Sequence, residues 1–168
     1  KLVALGAKVL TLSDSSGFVH EPQGFTDEQL DEIIRLKTVE RARISVYATA
    51  SPTATFHKGV QPWQAGIAAD VAFPCATQNE IGVEDARALT EGSGVWLVVE
   101  GANMPSTNEA VELFHERKTT FVPAKAANAG GVAVSGLEMS QNSERRQWTG
   151  EQVDAELKSI MSNIFTNM

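Results

Sequence analysis

The stretch "VWLVVEGANMPSTNEAVELFHERKTTFVPAK" (residues 95–125) holds two apolar runs on either side of a polar segment with helical periodicity. "VWLVVEGA" (95–102) is the strongest strand signal in the chain, and "TTFVPAK" (119–125) is a second strand. Between them, "PSTNEAVELFHERK" predicts a helix opened by a capping box of Ser106 with Glu109 and closed by cations that suit a helix C-terminus. Near-continuous apolar strands joined by a helix indicate a parallel sheet covered on both faces.

The same alternation extends outward. Upstream, "KVLTLSDSSG" (8–17) reads as a strand over 8–13 that breaks into acid, hydroxyls and glycine. "FTDEQLDEIIRLKTVE" follows as a helix: Thr26 caps it, Gln29 returns the bond, and Phe25 is placed to pack on Leu30. Leu30, Ile33 and Ile34 form its apolar face. "TATFH" (53–57) is a weak strand, and "DVAFP" (70–74) a better one stopped by Pro74. "VEDARALTEGSG" (83–94) is a helix run out by glycines. Downstream lie a glycine-rich helical stretch over 128–146 and a last helix capped at Thr149 with Gln152, where Trp148 is placed to pack on Val153. The expected fold class is α/β, doubly wound.

The chain has 168 residues, of which 42% are apolar, enough for a real core and a prior of one domain. Net charge is −7 and the sequence pI is near 5.0. With no basic patch, neither nucleic acid nor an anionic membrane is the expected partner. The longest apolar runs are strand-length, well short of a membrane span. Cys75 is the single cysteine, so no internal disulfide forms and a reducing compartment fits. No signal peptide opens the chain. "KLVALGA" at one end reads as the last turns of a helix closed by Gly6, and "SIMSNIFTNM" at the other stops inside an amphipathic pattern. Both ends read as cut, and the expectation is a fragment of a larger polypeptide.

In parallel α/β sheets ligands bind beyond the carboxyl ends of the strands. Four loops fall there: "SDSSG" (13–17), "PCATQNE" (74–80), "EGANMPST" (100–107) and "PAKAANAGGVAVSG" (123–136). All are rich in small, hydroxyl and amide residues, which admit a close backbone approach and orient a polar ligand. The plainer explanation, turn and cap chemistry, serves one loop better than four in succession. Asp14 alone suggests the acid that holds the ribose hydroxyls of NAD. Ser15, Ser16 and Lys37, with Arg35, Arg41 and Arg43 nearby in sequence, suit a phosphate instead, unless Lys37 is simply a solvated cation at a helix end. Gly130, Gly131 and Gly136 sit where each interior glycine costs roughly 1 kcal/mol. Either close helix packing or a helix N-terminus at a ligand would compensate, and Asn128 and Ser135 could serve the second. His20, His57 and His115 lack metal-ligand spacing, so no metal is expected. Cys75 is expected to be a small buried hydrophobe, and no general acid or base stands out.

Taken together, "SDSSG", "FPCATQNE", "EGANMPST" and "PAKAANAGGVAVSGLEMSQN" resemble the cofactor-binding domain of the NADP-dependent glutamate dehydrogenases, in that family's order and over essentially the whole chain. The resemblance implies a Rossmann-type, mostly parallel sheet that binds NADP. It also implies reversible interconversion of L-glutamate with 2-oxoglutarate and ammonia. Under it, Asp14, Ser15 and Lys37 meet the adenosine ribose 2′-phosphate, and Ala76, Thr77 and Gln78 lie beside the cofactor. Gly101, Ala102 and Asn103 do likewise, Asn103 toward the nicotinamide ribose and Asn128 near the carboxamide. Val132 and Ser135 reach the substrate. Residues 1–146 become a partial NADP-binding domain and 147–168 the start of a C-terminal helical segment.

The family's first strand and glycine-rich turn would precede Lys1, and the catalytic lysine and aspartate belong to another domain. No catalytic residue is therefore expected in this chain, and no activity from it alone. In its intact form the resemblance implies a cytoplasmic homohexamer, with the rest of the polypeptide as a partner. Two rivals remain: a dehydrogenase of the same superfamily acting on branched or aromatic amino acids, and a non-catalytic nucleotide-binding module.

Overall fold

The computed structural model describes residues 1–168. Its six strands form two three-stranded sheets, and the chain divides into two compact units: residues 1–69 with 91–94, and residues 70–90 with 95–168. The expected α/β class holds. Parallel pairing, however, is confined to the second unit.

In the first unit β1 (Thr11–Asp14), β2 (Gly17–His20) and β3 (Thr55–Lys58) pair antiparallel in that order. β1 was expected to end in an open loop. Instead Ser15 and Ser16 form a two-residue turn, with Asp14 opposite Gly17. Gly17 makes this possible. Its φ is +141°, and a Cβ there would overlap the carbonyl oxygen of His57 on β3 and lie 3.0 Å from the Gly59 nitrogen. The period-2 signal of "GFVH" was missed because Gly17, Phe18 and Val19 are all buried, which erases the polar alternation. The Phe18 ring stacks on His57, 4.4 Å between centroids.

Helix α1 (Asp27–Thr38) starts with the expected capping box: Thr26 accepts from the Gln29 N–H and Gln29 accepts from the Thr26 N–H. Such a cap stabilises a helix by about 1 kcal/mol. Ile33 and Leu36 are buried in a core with Val19, Phe25, Ile44 and Tyr47, and Leu30 packs against it. Ile34, expected on the apolar face, is instead exposed. A short helix α2 (Ser45–Ala50), unmarked in the sequence, brings Tyr47 into this core.

In the second unit β4 (Val71–Ala72), β5 (Leu97–Val99) and β6 (Thr120–Val122) are parallel, with Ala72 opposite Val98 and Val98 opposite Phe121. Helix α4 (Asn108–Glu116) makes the crossover from β5 to β6 and buries Ala110, Leu113 and Phe114, the last 5.9 Å from the Phe121 ring. The cap is Thr107 rather than Ser106. Ser106 is buried and bridges to Ile81 in strand fashion, so the helix begins one residue later. Helix α3 (Val83–Arg87) packs beside α4, and residues Ala88–Gly92 continue it as a π turn.

The glycine-rich stretch forms α6 (Ala129–Glu144), and a short helix α5 (Ala124–Ala127) precedes it, the two separated at Asn128. α6 pairs with α7 (Gly150–Thr166), which carries the expected Thr149–Gln152 capping box. Neither α6 nor α7 contains a buried residue. Gly130 faces α7, where a Cβ would meet Leu157 and Met161 at ordinary contact distance, while Gly131 and Gly136 face open space. A Cβ would fit at all three positions, so close helix packing does not require glycine at any of them. No helix is long and apolar enough to cross a membrane.

Because Gly17 combines a positive φ with contact to the neighbouring strand, Gly17→Ala is expected to destabilise the first unit by at least ~2 kcal/mol. A lowered urea midpoint measures it; an unchanged midpoint would show that the hairpin relaxes freely.

Candidate functional site

The turn after β1 is organised by one carboxylate. Asp14 Oδ1 accepts from the Ser16 N–H at 2.8 Å and from the Ser16 hydroxyl at 2.6 Å. Its Oδ2 accepts from Lys37 Nζ at 2.7 Å and from the Ile44 N–H at 2.9 Å. The side chain is 12% exposed, and burial by itself would disfavour the charge. The bonds from Lys37, Ser16 and the Ile44 backbone outweigh that burial and hold the Asp14 carboxyl well below the usual carboxylate range.

Lys37 thus reaches back from the end of α1, which spacing alone could not show. Arg43 donates from Nη1 to the Ser15 hydroxyl. Two of the three arginines are thereby sorted: Arg43 joins the turn, and Arg35 pairs with Glu32 and Glu40. The sequence alone does not place Arg43 at the turn, because it lies in an irregular segment where no periodicity assigns it a direction.

In the second unit the loops after β4, β5 and β6 are stitched together by backbone groups. The Pro74 carbonyl accepts from the Gly101 and Ala102 N–H groups, both at 3.0 Å. The Asn79 N–H donates to the Met104 carbonyl at 3.0 Å, and the Ile81 N–H to the Pro105 carbonyl at 2.9 Å. Glu80 closes the first loop by accepting from the Ala76 N–H at 2.9 Å. Asn128 donates from Nδ2 to the Ala102 carbonyl at 3.1 Å, joining the third loop to the second.

Of the nominated residues, Ala76, Thr77, Gln78, Gly101 and Asn103 are exposed, while Ala102 and Asn128 are half-buried. Val132 and Ser135 are exposed one turn apart on α6, with the Ser135 hydroxyl on the Gly131 carbonyl. Cys75 is exposed, correcting the expectation of a buried hydrophobe: it follows Pro74 out of β4 into the loop. Its sulfur lies over Gly101, so that a Cβ at 101 would overlap it. Partial burial, with Glu80 nearby, pushes the thiol pKa up and leaves it a poor nucleophile. A cavity of about 490 Å³ beside these loops is lined by Gln78, Asn79, Glu100, Met104, Ser106 and Phe121, among others. No group of three His, Cys, Asp or Glu side chains could hold a metal ion.

The sequence matches the profile of the Glutamate/Leucine/Phenylalanine/Valine dehydrogenase family over residues 1–168. The chain belongs to this family. It is 50% identical over 166 residues to the NADP-specific glutamate dehydrogenase of Giardia intestinalis, covering 98% of this chain and 37% of that protein. To the NADP-specific enzyme of Haemophilus influenzae it is 50% identical over 167 residues, covering 99% and 36%. An NAD(P)-specific glutamate dehydrogenase from Xylanibacter ruminicola is 48% identical over 167 residues, covering 99% and 37%.

Among solved structures, Plasmodium falciparum glutamate dehydrogenase superposes with a TM-score of 0.92 at 52% identity, over 98% of this chain and 35% of that one. This dehydrogenase-family chain therefore spans little more than a third of the length of the curated relatives it matches.

The depressed Asp14 pKa fixes a pH dependence. Its contribution to stability is full above the unfolded value of about 3.9 and is lost as the pH falls below it toward the native value. Asp14→Asn is expected to cost about 1–3 kcal/mol at neutral pH, by leaving donors unmatched. It should also flatten the acid limb of the stability curve, read from urea midpoints across that range.

Proposed function

We propose that this chain is the cofactor-binding part of an NADP-dependent glutamate dehydrogenase that reversibly interconverts L-glutamate with 2-oxoglutarate and ammonia. The observation that carries the reading is the saturation of Asp14. An acid that holds the ribose hydroxyls of NAD needs free acceptor positions. Here both oxygens accept twice from within the chain. What the turn offers outward is the Ser15 hydroxyl with two cations beside it, Lys37 and Arg43. That donor set fits a ribose 2′-phosphate, for which charge-assisted bonds are the strong ones.

In the second unit, Ala76, Thr77, Gln78, Gly101 and Ala102 line the proposed cofactor path, Asn103 faces the nicotinamide ribose and Asn128 the carboxamide. Gly101 lacks a side chain because the Cys75 sulfur occupies the space a Cβ would take. Val132 and Ser135 meet the substrate, the serine hydroxyl donating to a carboxylate. The cofactor supplies hydride transfer to and from the glutamate α-carbon. The residues of this chain bind and orient; the acid–base groups the chemistry needs are assigned to a part of the enzyme outside these 168 residues.

On the same reading, residues 1–146 are part of a Rossmann-type NADP-binding domain and 147–168 begin a helical segment. The Rossmann-type arrangement calls for a further strand with a glycine-rich turn ahead of residue 1, and β1, an edge strand in its own sheet, offers backbone groups for such pairing. A cytoplasmic homohexamer is the assembly proposed for the intact enzyme, on the strength of the resemblance alone.

Titration with NADPH and NADH, followed by nicotinamide fluorescence, tests the reading. NADPH is expected to bind at least about tenfold tighter, with Lys37→Ala, Arg43→Ala and Ser15→Ala each eroding the preference by weakening NADPH and leaving NADH unchanged. Equal affinity for the two cofactors would overturn it.

A further inference from the structure

Glu100 follows β5 directly and is 5% exposed, yet it carries a carboxylate. Its Oε1 accepts from the Ser106 N–H at 3.2 Å and its Oε2 from the Ala124 N–H at 2.8 Å. The first bond closes the intervening segment, residues 101–105, into a compact loop. That segment contains Gly101, Ala102 and Asn103, and passes through Met104 with a φ of +49°. The second bond satisfies the first N–H of α5, a helix whose cap position is Pro123 and which has no side-chain cap. A single helical turn has no stability of its own. α5 is instead held at one end by Glu100 and at the other by Asn128, whose amide reaches the Ala102 carbonyl.

We propose that Glu100 is a positioning residue for the nicotinamide end of the cofactor, an inference that rests on the reading of this chain as NADP-binding. The carboxylate sets the distance between the Gly101–Asn103 backbone and Asn128. Both acceptors are required, because both donors are backbone N–H groups that cannot reverse their polarity. A buried N–H without a partner is expensive, so the two loops hold their spacing through the two acceptor oxygens of this side chain. Glutamine, the same shape, turns an NH₂ toward one of the two donors and breaks one tie. Aspartate keeps both acceptors on a stem one methylene shorter.

The test uses Glu100→Gln and Glu100→Asp in the complete polypeptide, with two ligands. Adenosine 2′,5′-bisphosphate carries the 2′-phosphate and no nicotinamide; NADPH carries both. Glu100→Gln is expected to weaken NADPH about tenfold and to diminish the emission change of the bound nicotinamide. Adenosine 2′,5′-bisphosphate should stay within about twofold of wild type. Glu100→Asp should recover part of the NADPH affinity, and amide exchange at Ser106 and Ala124 should quicken in Glu100→Gln. Unchanged NADPH binding in Glu100→Gln, or an equal loss of both ligands, would overturn the positioning role. A wild-type protein that binds neither ligand would instead overturn the NADP reading, and this inference with it.

Discussion

A carboxylate accepts about four hydrogen bonds, and at the end of β1 all four come from the protein itself. Asp14 draws on its own turn through Ser16, on the end of α1 through Lys37 and on the start of α2 through the Ile44 N–H. The turn, the end of α1 and the start of α2 are thereby fixed around one side chain, and its negative charge is neutralised locally. The second unit repeats the device with Glu100, which joins two backbone donors from two loops. In both places an acid that could be taken for a ligand-binding group spends its capacity on the scaffold. The Ser15 hydroxyl, the Lys37 and Arg43 cations beside it, and Gly101 and Asn103 in the second unit stay exposed.

This division of labour explains why small residues, alanine, glycine and serine, are so frequent in the loops. Backbone-to-backbone bonds such as those from Gly101 and Ala102 to Pro74 need close approach, and side chains of any bulk would prevent it. The overlap a Cβ at 101 would make with Cys75 is the clearest instance. Loop geometry is here largely main-chain geometry, and Asp14, Glu80, Glu100 and Asn128 shape it because each reaches the main chain directly.

Much of this was legible in the sequence. The β5–α4–β6 crossover followed from two apolar runs around an amphipathic helix, and the caps at Thr26 and Thr149 followed from hydroxyl–amide spacing. The loops after β4, β5 and β6 were legible as ends of parallel strands, whereas residues 13–17 are the turn of an antiparallel hairpin. What stayed hidden depended on tertiary context. β2 lost its alternation because both of its faces are covered, so the antiparallel hairpin could not be seen. Arg43 and Ile44 sit in an irregular segment whose direction is set by the fold. Ser106 was displaced as a cap by strand-like pairing with Ile81, a contact 25 residues away in sequence that no local pattern encodes. Glu100 carries no local sign of its role, since a charge after an apolar run reads as the point where a strand leaves the core.

The α6–α7 pair has no buried residue on either helix. Protection against local opening comes from buried apolar contacts, so this hairpin belongs at the low end of the molecule's range of opening free energies. Its amides should exchange with solvent before those of β5 or α4, and a protease should cut there first. Val132 and Ser135 stand on this loosely held element. Any ligand or neighbouring segment that settles on them must also order the hairpin, so part of its intrinsic affinity is converted into rigidity. Contact there would be felt along both helices and not at the point of binding alone.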